Sequence, residues 1–147
     1  MKRSPGLQKF SREHHTALKL ARDFRQAVDA NDQRLLEAAC AAARHCYEEE
    51  LAPHFREEET FLLPHLQAAG CEAVVARTLV EHRAMKRAVR DLEIADADAL
   101  RRFADLLADH VRFEERELFE TAQRVLDAET LARVAQRCEE LAPGQVA

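Results

Sequence analysis

Two stretches of the chain share the pattern His-x-x-x-Glu-Glu: His54-Phe55-Arg56-Glu57-Glu58-Glu59 and His110-Val111-Arg112-Phe113-Glu114-Glu115. On an α-helix, residues four apart stand one above the other on the same face. Each copy therefore aims an imidazole and a carboxylate in one direction, about one turn apart. Those are the ligand types that hold iron, manganese or zinc. A single His-x-x-x-Glu in a Glu-rich chain carries little weight. His45-Cys46-Tyr47-Glu48-Glu49 is a third match, but it lies nine residues before His54, about 180° around a helix, and is expected to face solvent. Two matched copies facing each other inside a bundle would hold a pair of metal ions.

Helices must position these groups, and the composition favours them. Gly (3) and Pro (4) are scarce while Ala, Leu, Glu and Arg dominate. The first predicted helix, about Leu7 to Ala30, carries Leu7, Phe10, Ala17, Leu18, Ala21, Phe24 and Val28 at the spacing of a bundle helix, with His14 on that stripe and His15 turned about 100° away. The turn at Asn31-Asp32 leads to a second helix, about Gln33 to Ala69, whose stripe is Leu35/Leu36, Ala39, Ala43, Tyr47, Glu50, His54, Glu58, Phe61/Leu62 and His65. Pro53 predicts a kink just before His54, Pro64 a further bend, and Gly70 a left-handed cap. The third helix, about Glu72 to Ala95, turns Val75, Leu79, His82, Met85, Val89 and Leu92 inward. The fourth, about Ala99 to Leu126, turns Leu100, Phe103, Leu107, His110, Glu114, Leu118 and Val125 inward. A short helix, about 129–141, packs outside and ends at Ala142-Pro143-Gly144. The expected architecture is all-α: an up-down-up-down antiparallel four-helix bundle over about 7–126 with a short C-terminal fifth helix, in a single domain of residues 1–147.

An internal repeat supports this arrangement. Glu13-His14 through Arg22-Asp23 aligns without gaps on Glu81-His82 through Arg90-Asp91, so the two helical hairpins match and His14, not His15, corresponds to His82. His82 and His110 each stand 14 residues from Asp96 (96 − 82 and 110 − 96), which puts them at one level of an antiparallel hairpin. The first hairpin is uneven: 17 residues separate His14 from Asn31 (31 − 14), and 23 separate Asn31 from His54 (54 − 31). The loop or the kink at Pro53 must absorb the difference.

At that level the apolar stripes are interrupted by His14, His54, Glu58, His82, His110 and Glu114. Buried without partners these groups would cost folding free energy. Two divalent ions at the centre would satisfy all six, with carboxylates able to bridge ions roughly 3.5–4 Å apart. Glu50 and His65, on the same stripe, are expected near a channel or at the bundle ends. Glu57, Glu59 and Glu115 read as surface charges, Tyr47 and Met85 as core.

Composition excludes several classes. The net charge of −5, with no basic block or zinc-finger pattern, gives no sign of a nucleic-acid partner. No apolar run approaches the roughly 18 residues of a membrane span. The basic start, Met1 to Gly6, is followed by no apolar stretch, so no signal peptide is expected. Cys40, Cys46, Cys71 and Cys138 form no Cys-x-x-Cys pair and are expected to be inert reduced thiols, in keeping with a cytoplasmic location.

The combination of Glu13-His14, Pro53-His54-Phe55 through Glu58-Glu59, Leu63-Pro64, Glu81-His82 and His110 through Glu114-Glu115 with Leu118-Phe119 resembles the hemerythrin-like, or HHE cation-binding, family. Ferritin-like di-iron bundles use Glu-x-x-His instead, and no histidine here has a Glu three residues before it. The resemblance implies a non-haem di-iron site with an oxo or hydroxo bridge between the irons. His14, His54, Glu58, His82, His110 and Glu114 would be the ligands, Glu58 and Glu114 bridging, with O2 or another small diatomic or peroxide ligand as partner. Manganese or zinc would suit the same residues. Oxygen-carrying hemerythrins have two histidines four apart on the third helix, where this chain has Thr78 and Lys86 around His82. They also have Asp five after the fourth-helix histidine, where Glu114 here follows by four. One histidine fewer leaves an open position and favours oxygen sensing, reactions with peroxide or nitric oxide, or iron handling over oxygen carriage. The alternatives are a di-iron oxidase, peroxidase-type or ferroxidase enzyme, and a regulatory module in which metal mainly sets folding.

Overall fold

The computed structural model describes residues 2–140, and the described residues contain helices and no strand. After a 3-10 turn at Pro5–Leu7, α1 spans Gln8–Asp29. Asn31 takes a positive φ of 52° in the turn. Asp32 then caps α2 by accepting hydrogen bonds from the Arg34 and Leu35 amides at 2.9 and 3.2 Å. α2 covers 33–68 as one continuous helix built of Gln33–Cys46, a π-turn at Tyr47–Leu51, Ala52–Glu57, a second π-turn at Glu58–Leu62, and Leu63–Ala68. Gly70, with φ 85°, ends it in the left-handed conformation that glycine adopts freely. α3 is Glu72–Arg90, extended by a 3-10 turn at Asp91–Glu93. α4 covers 97–125: Ala97–Phe113, a π-turn at Glu114–Leu118, and Phe119–Val125. α5 is Ala128–Glu140. Leu141 and the predicted stop at Ala142-Pro143-Gly144 lie outside the described residues.

The π-turns change two expectations. Pro53 and Pro64 each follow a π-turn by two residues, and the helix stays continuous through them where a break would otherwise be expected. Each π-turn also inserts an extra residue, which advances the inward stripe by one. Leu51 and Leu66, not Glu50 and His65, are buried, and Glu50 and His65 are exposed. Leu35 (51 % exposed) and Val125 (44 % exposed) face water because they stand at helix ends, beyond the facing layers.

Two apolar clusters fill the bundle. One holds Phe24, Phe55, Met85, Leu92, Leu100, Phe103 and Leu107. The other holds Leu7, Phe10, Phe61, Leu66, Phe113, Leu118 and Phe119. Each fully buried large side chain contributes roughly 1.5–3 kcal/mol. The second cluster includes Leu131, Val134 and Cys138 of α5, so that helix covers the end of the bundle. Any side chain on Gly6 would run into the Leu131 backbone carbonyl, which explains a glycine there. Arg25–Asp105 at 2.8 Å and Arg101–Asp29 at 2.6 Å tie α1 to α4 on the surface.

Candidate metal centre

The buried polar side chains of the described residues are His14, His54, Glu58, Thr78, His82, His110 and Glu114. Apart from Thr78, these are the six residues that sequence spacing singles out, and the fold brings all six together. Their donor atoms form two groups, His14/His54/Glu58/Glu114 and Glu58/His82/His110/Glu114, with the ligand atoms of each within 4.8 Å of one another. The uneven first hairpin does not keep its histidines apart, for the Nε2 atoms of His14 and His54 stand 3.1 Å from each other. The π-turn at Tyr47–Leu51 takes up one of the surplus residues.

The two carboxylates face both groups. Glu58 Oε2 lies 3.1 Å from His54 Nε2, and its Oε1 lies 3.1 Å from His82 Nε2. Glu114 Oε1 lies 2.8 Å from His14 Nε2, and its Oε2 lies 3.0 Å from His110 Nε2. Yet Glu58 and Glu114, with both oxygens each, and the Nε2 atoms of His82 and His110 lack a hydrogen-bond partner of proper geometry despite full burial. These atoms crowd together in the two groups without the geometry of hydrogen bonds. Orphaned buried polar atoms are rare and costly, and cations at those points would satisfy them.

The other ring nitrogen of every histidine is held by a second carboxylate. Nδ1 of His14 lies 2.6 Å from Glu115, that of His54 2.8 Å from Glu13, that of His82 2.7 Å from Glu59 and that of His110 2.7 Å from Glu81. A carboxylate only accepts, so Nδ1–H donates and Nε2 faces the centre, where it can hold a proton or, once that proton leaves, a cation. Glu59 and Glu115, which sequence reading leaves on the surface, belong to the site through this contact. The one available signal was the doubling of Glu in both motifs. Glu57 pairs with Lys9 at 2.6 Å, away from the centre. His15, His45 and His65 are exposed and take no part.

Three of the four outer carboxylates are themselves anchored by cations. Arg3 reaches Glu115 at 3.2 Å and Glu120 at 3.2 Å, Lys9 reaches Glu13 at 3.1 Å, and Arg77 reaches Glu81 at 2.9 Å. Aromatic rings fix the imidazole planes: Phe119 stacks on His14 at 5.2 Å between ring centroids, Phe55 stacks on His82 at 4.0 Å, and Phe10 meets His54 edge-on at 5.3 Å.

Without a cation, the cluster balances its charge with protons. Burial pulls the pKa of His14, His54 and His110 down, but the surrounding carboxylates outweigh it and hold all three above the ordinary histidine range. In His82 the same contest ends at about 11. Burial likewise works against ionised Glu114, yet the imidazoles of His110, His14 and His54 keep it well below the usual carboxylate range. A cavity of about 520 Å3 opens beside this layer, walled by Ala17, Leu20, Leu51, Leu107 and Val111 and reaching His14, His54 and His110.

Thr78, one turn before His82, is fully buried, and its hydroxyl donates to the Val74 carbonyl at 2.7 Å, so it offers the centre no ligand. The cysteines are unpaired thiols. No helix among the described residues is long and apolar enough to cross a membrane. The family model described as Hemerythrin HHE cation binding domain matches residues 6–122. No curated protein sequence matches the chain.

Proposed function

The chain belongs to the hemerythrin HHE cation-binding family, and from that premise we propose that it is a non-haem di-iron protein that binds O2 or a related small ligand. One observation carries the reading: six buried polar atoms on Glu58, Glu114, His82 and His110 make no hydrogen bond of proper geometry, and these residues, with His14 and His54, fall into two groups that share both carboxylates. His14 and His54 would hold one ion, His82 and His110 the other, and Glu58 and Glu114 would bridge them. Bound iron supplies reversible redox chemistry toward oxygen-derived ligands. The residues of the chain do the rest. The outer carboxylates fix the histidine tautomers, and Phe10, Phe55, Phe119 and Met85 keep water from the centre. The convergence of four histidines at one depth supports the up-down-up-down helix order.

The 520 Å3 cavity against His14, His54 and His110 favours a second reading, a di-iron oxidase, peroxidase-type or ferroxidase enzyme, since it exceeds the needs of a diatomic. Manganese and zinc suit the same donors, so the test begins with metal analysis of protein purified without oxygen, followed by optical spectra before and after air. Iron at about two per chain with a reversible spectral change supports ligand binding. Repeated turnover with peroxide or Fe(II) supports the enzyme. Metal content at background rejects both.

A further inference from the structure

We propose that Glu13, Glu59, Glu81 and Glu115 act together as positioning residues: a closed ring of outer carboxylates that sets the affinity and the reduction potential of the metal pair. The inference rests on the metal reading above and goes beyond its ligand set. Its ground is the connectivity. Glu13 of α1 holds His54 of α2, Glu59 of α2 holds His82 of α3, Glu81 of α3 holds His110 of α4, and Glu115 of α4 holds His14 of α1. Every helix gives one carboxylate to the next and takes one from the last, so the contacts run once around the bundle in a single direction. The internal repeat generates this pattern. Glu13-His14 and Glu81-His82 are equivalent in α1 and α3, as are the second glutamates of the two Glu-Glu pairs, Glu59 and Glu115, in α2 and α4.

The π-turns contribute. Two of the three begin at Glu58 and Glu114, the residues just before Glu59 and Glu115, and π-turns concentrate at functional sites. At this point one glutamate of each pair faces the centre, and its neighbour reaches a histidine on the adjacent helix.

Chemically the ring does two things. Each carboxylate fixes the Nδ1–H tautomer, so Nε2 is presented to the ion without prior reorganisation. Each also adds negative charge 2.6–2.8 Å from an imidazole nitrogen, making that imidazole a stronger donor and favouring the more highly charged state of the metal. Outer carboxylates of this kind are worth roughly 10–100-fold in metal affinity.

The test uses the full chain with Glu13→Gln, Glu59→Gln, Glu81→Gln and Glu115→Gln, and with exposed Glu139→Gln on α5 as a surface control. Glutamine keeps an acceptor for Nδ1–H and removes the charge. Each variant is loaded with Fe(II) anaerobically and read by iron stoichiometry, chelator competition, midpoint potential and far-UV circular dichroism. The expected result is unchanged stoichiometry at saturating iron, affinity lower by roughly 10–100-fold, and a midpoint potential above wild type in all four ring variants but not in the control. Glu59, with its side chain 42 % exposed, is the position least able to disturb folding, and it decides the question if another variant unfolds. Wild-type affinity and potential in loaded ring variants overturn the ring and leave the metal reading intact. A wild-type chain that takes up no Fe(II) overturns the metal reading, and the ring with it.

Discussion

Glu58 and His110 are both metal ligands in this account, yet their removal should give different stoichiometries. Glu58 supplies Oε2 to the His14/His54 group and Oε1 to the His82/His110 group. His110 supplies Nε2 to the second group alone. Glu58→Ala therefore takes one of four donors from both ions, and His110→Ala takes one of four from a single ion. Wild type should bind about two metal ions per chain, His110→Ala about one, and Glu58→Ala well below one. Stability should follow. Metal at 1,000 times its dissociation constant stabilises the folded state by about 4 kcal/mol per site. For a chain of this size, each kcal/mol raises the melting temperature by roughly 2–4 °C, so one site adds about 8–16 °C. Anaerobic calorimetry with and without Fe(II), run beside elemental analysis, reads both quantities. Wild type should show the full rise, His110→Ala roughly half of it, and Glu58→Ala almost none. Equal loading and equal thermal shifts in all three proteins would refute the shared-carboxylate geometry.

Metal uptake should release protons, because His14, His54, His82 and His110 are held above their ordinary range in the metal-free cluster. Affinity measured by chelator competition should rise between pH 6 and 8, and a flat profile contradicts the assignment. The metal-free protein should behave in the opposite sense. A histidine whose folded pKa is raised contributes stability that is complete below the unfolded value near 6.5 and disappears as pH climbs toward about 11 for His82, so urea midpoints of the metal-free protein should fall over that window. Burial pushes Cys46 and Cys138 up to about 12; native iodoacetamide labelling read by mass spectrometry should modify half-buried Cys71 first, and early modification of Cys46 would contradict that burial. Gly6→Ala should drive α5 off the Leu131 contact and cost about 1–3 kcal/mol in urea unfolding; an unchanged midpoint would mean that α5 yields without cost.

The six inward donors were legible in the sequence because helical spacing alone fixes their direction: His54 and Glu58, like His110 and Glu114, are four apart on stripes that are otherwise apolar. The repeat resolved the choice between His14 and His15, and the structure keeps His15 in solvent. Glu59 and Glu115 were less visible, because their role depends on a neighbour from another helix and on the π-turns that begin one residue earlier. Regular periodicity counts neither. The same extra residue explains why Glu50 and His65 leave the stripe on which even spacing puts them. Pro64 marks the neighbourhood of the π-turn at Glu58–Leu62, but α4 carries the corresponding turn at Glu114–Leu118 without a proline, so proline alone is no guide. Arg3, beside Glu115 and Glu120, sits in a stretch whose composition says only that it is basic.

The most direct measurement is anomalous diffraction at the iron edge from crystals of the anaerobically loaded protein. Two peaks should appear, one among His14, His54, Glu58 and Glu114 and the other among Glu58, His82, His110 and Glu114. A single peak, or density lying away from both carboxylates, would contradict the account.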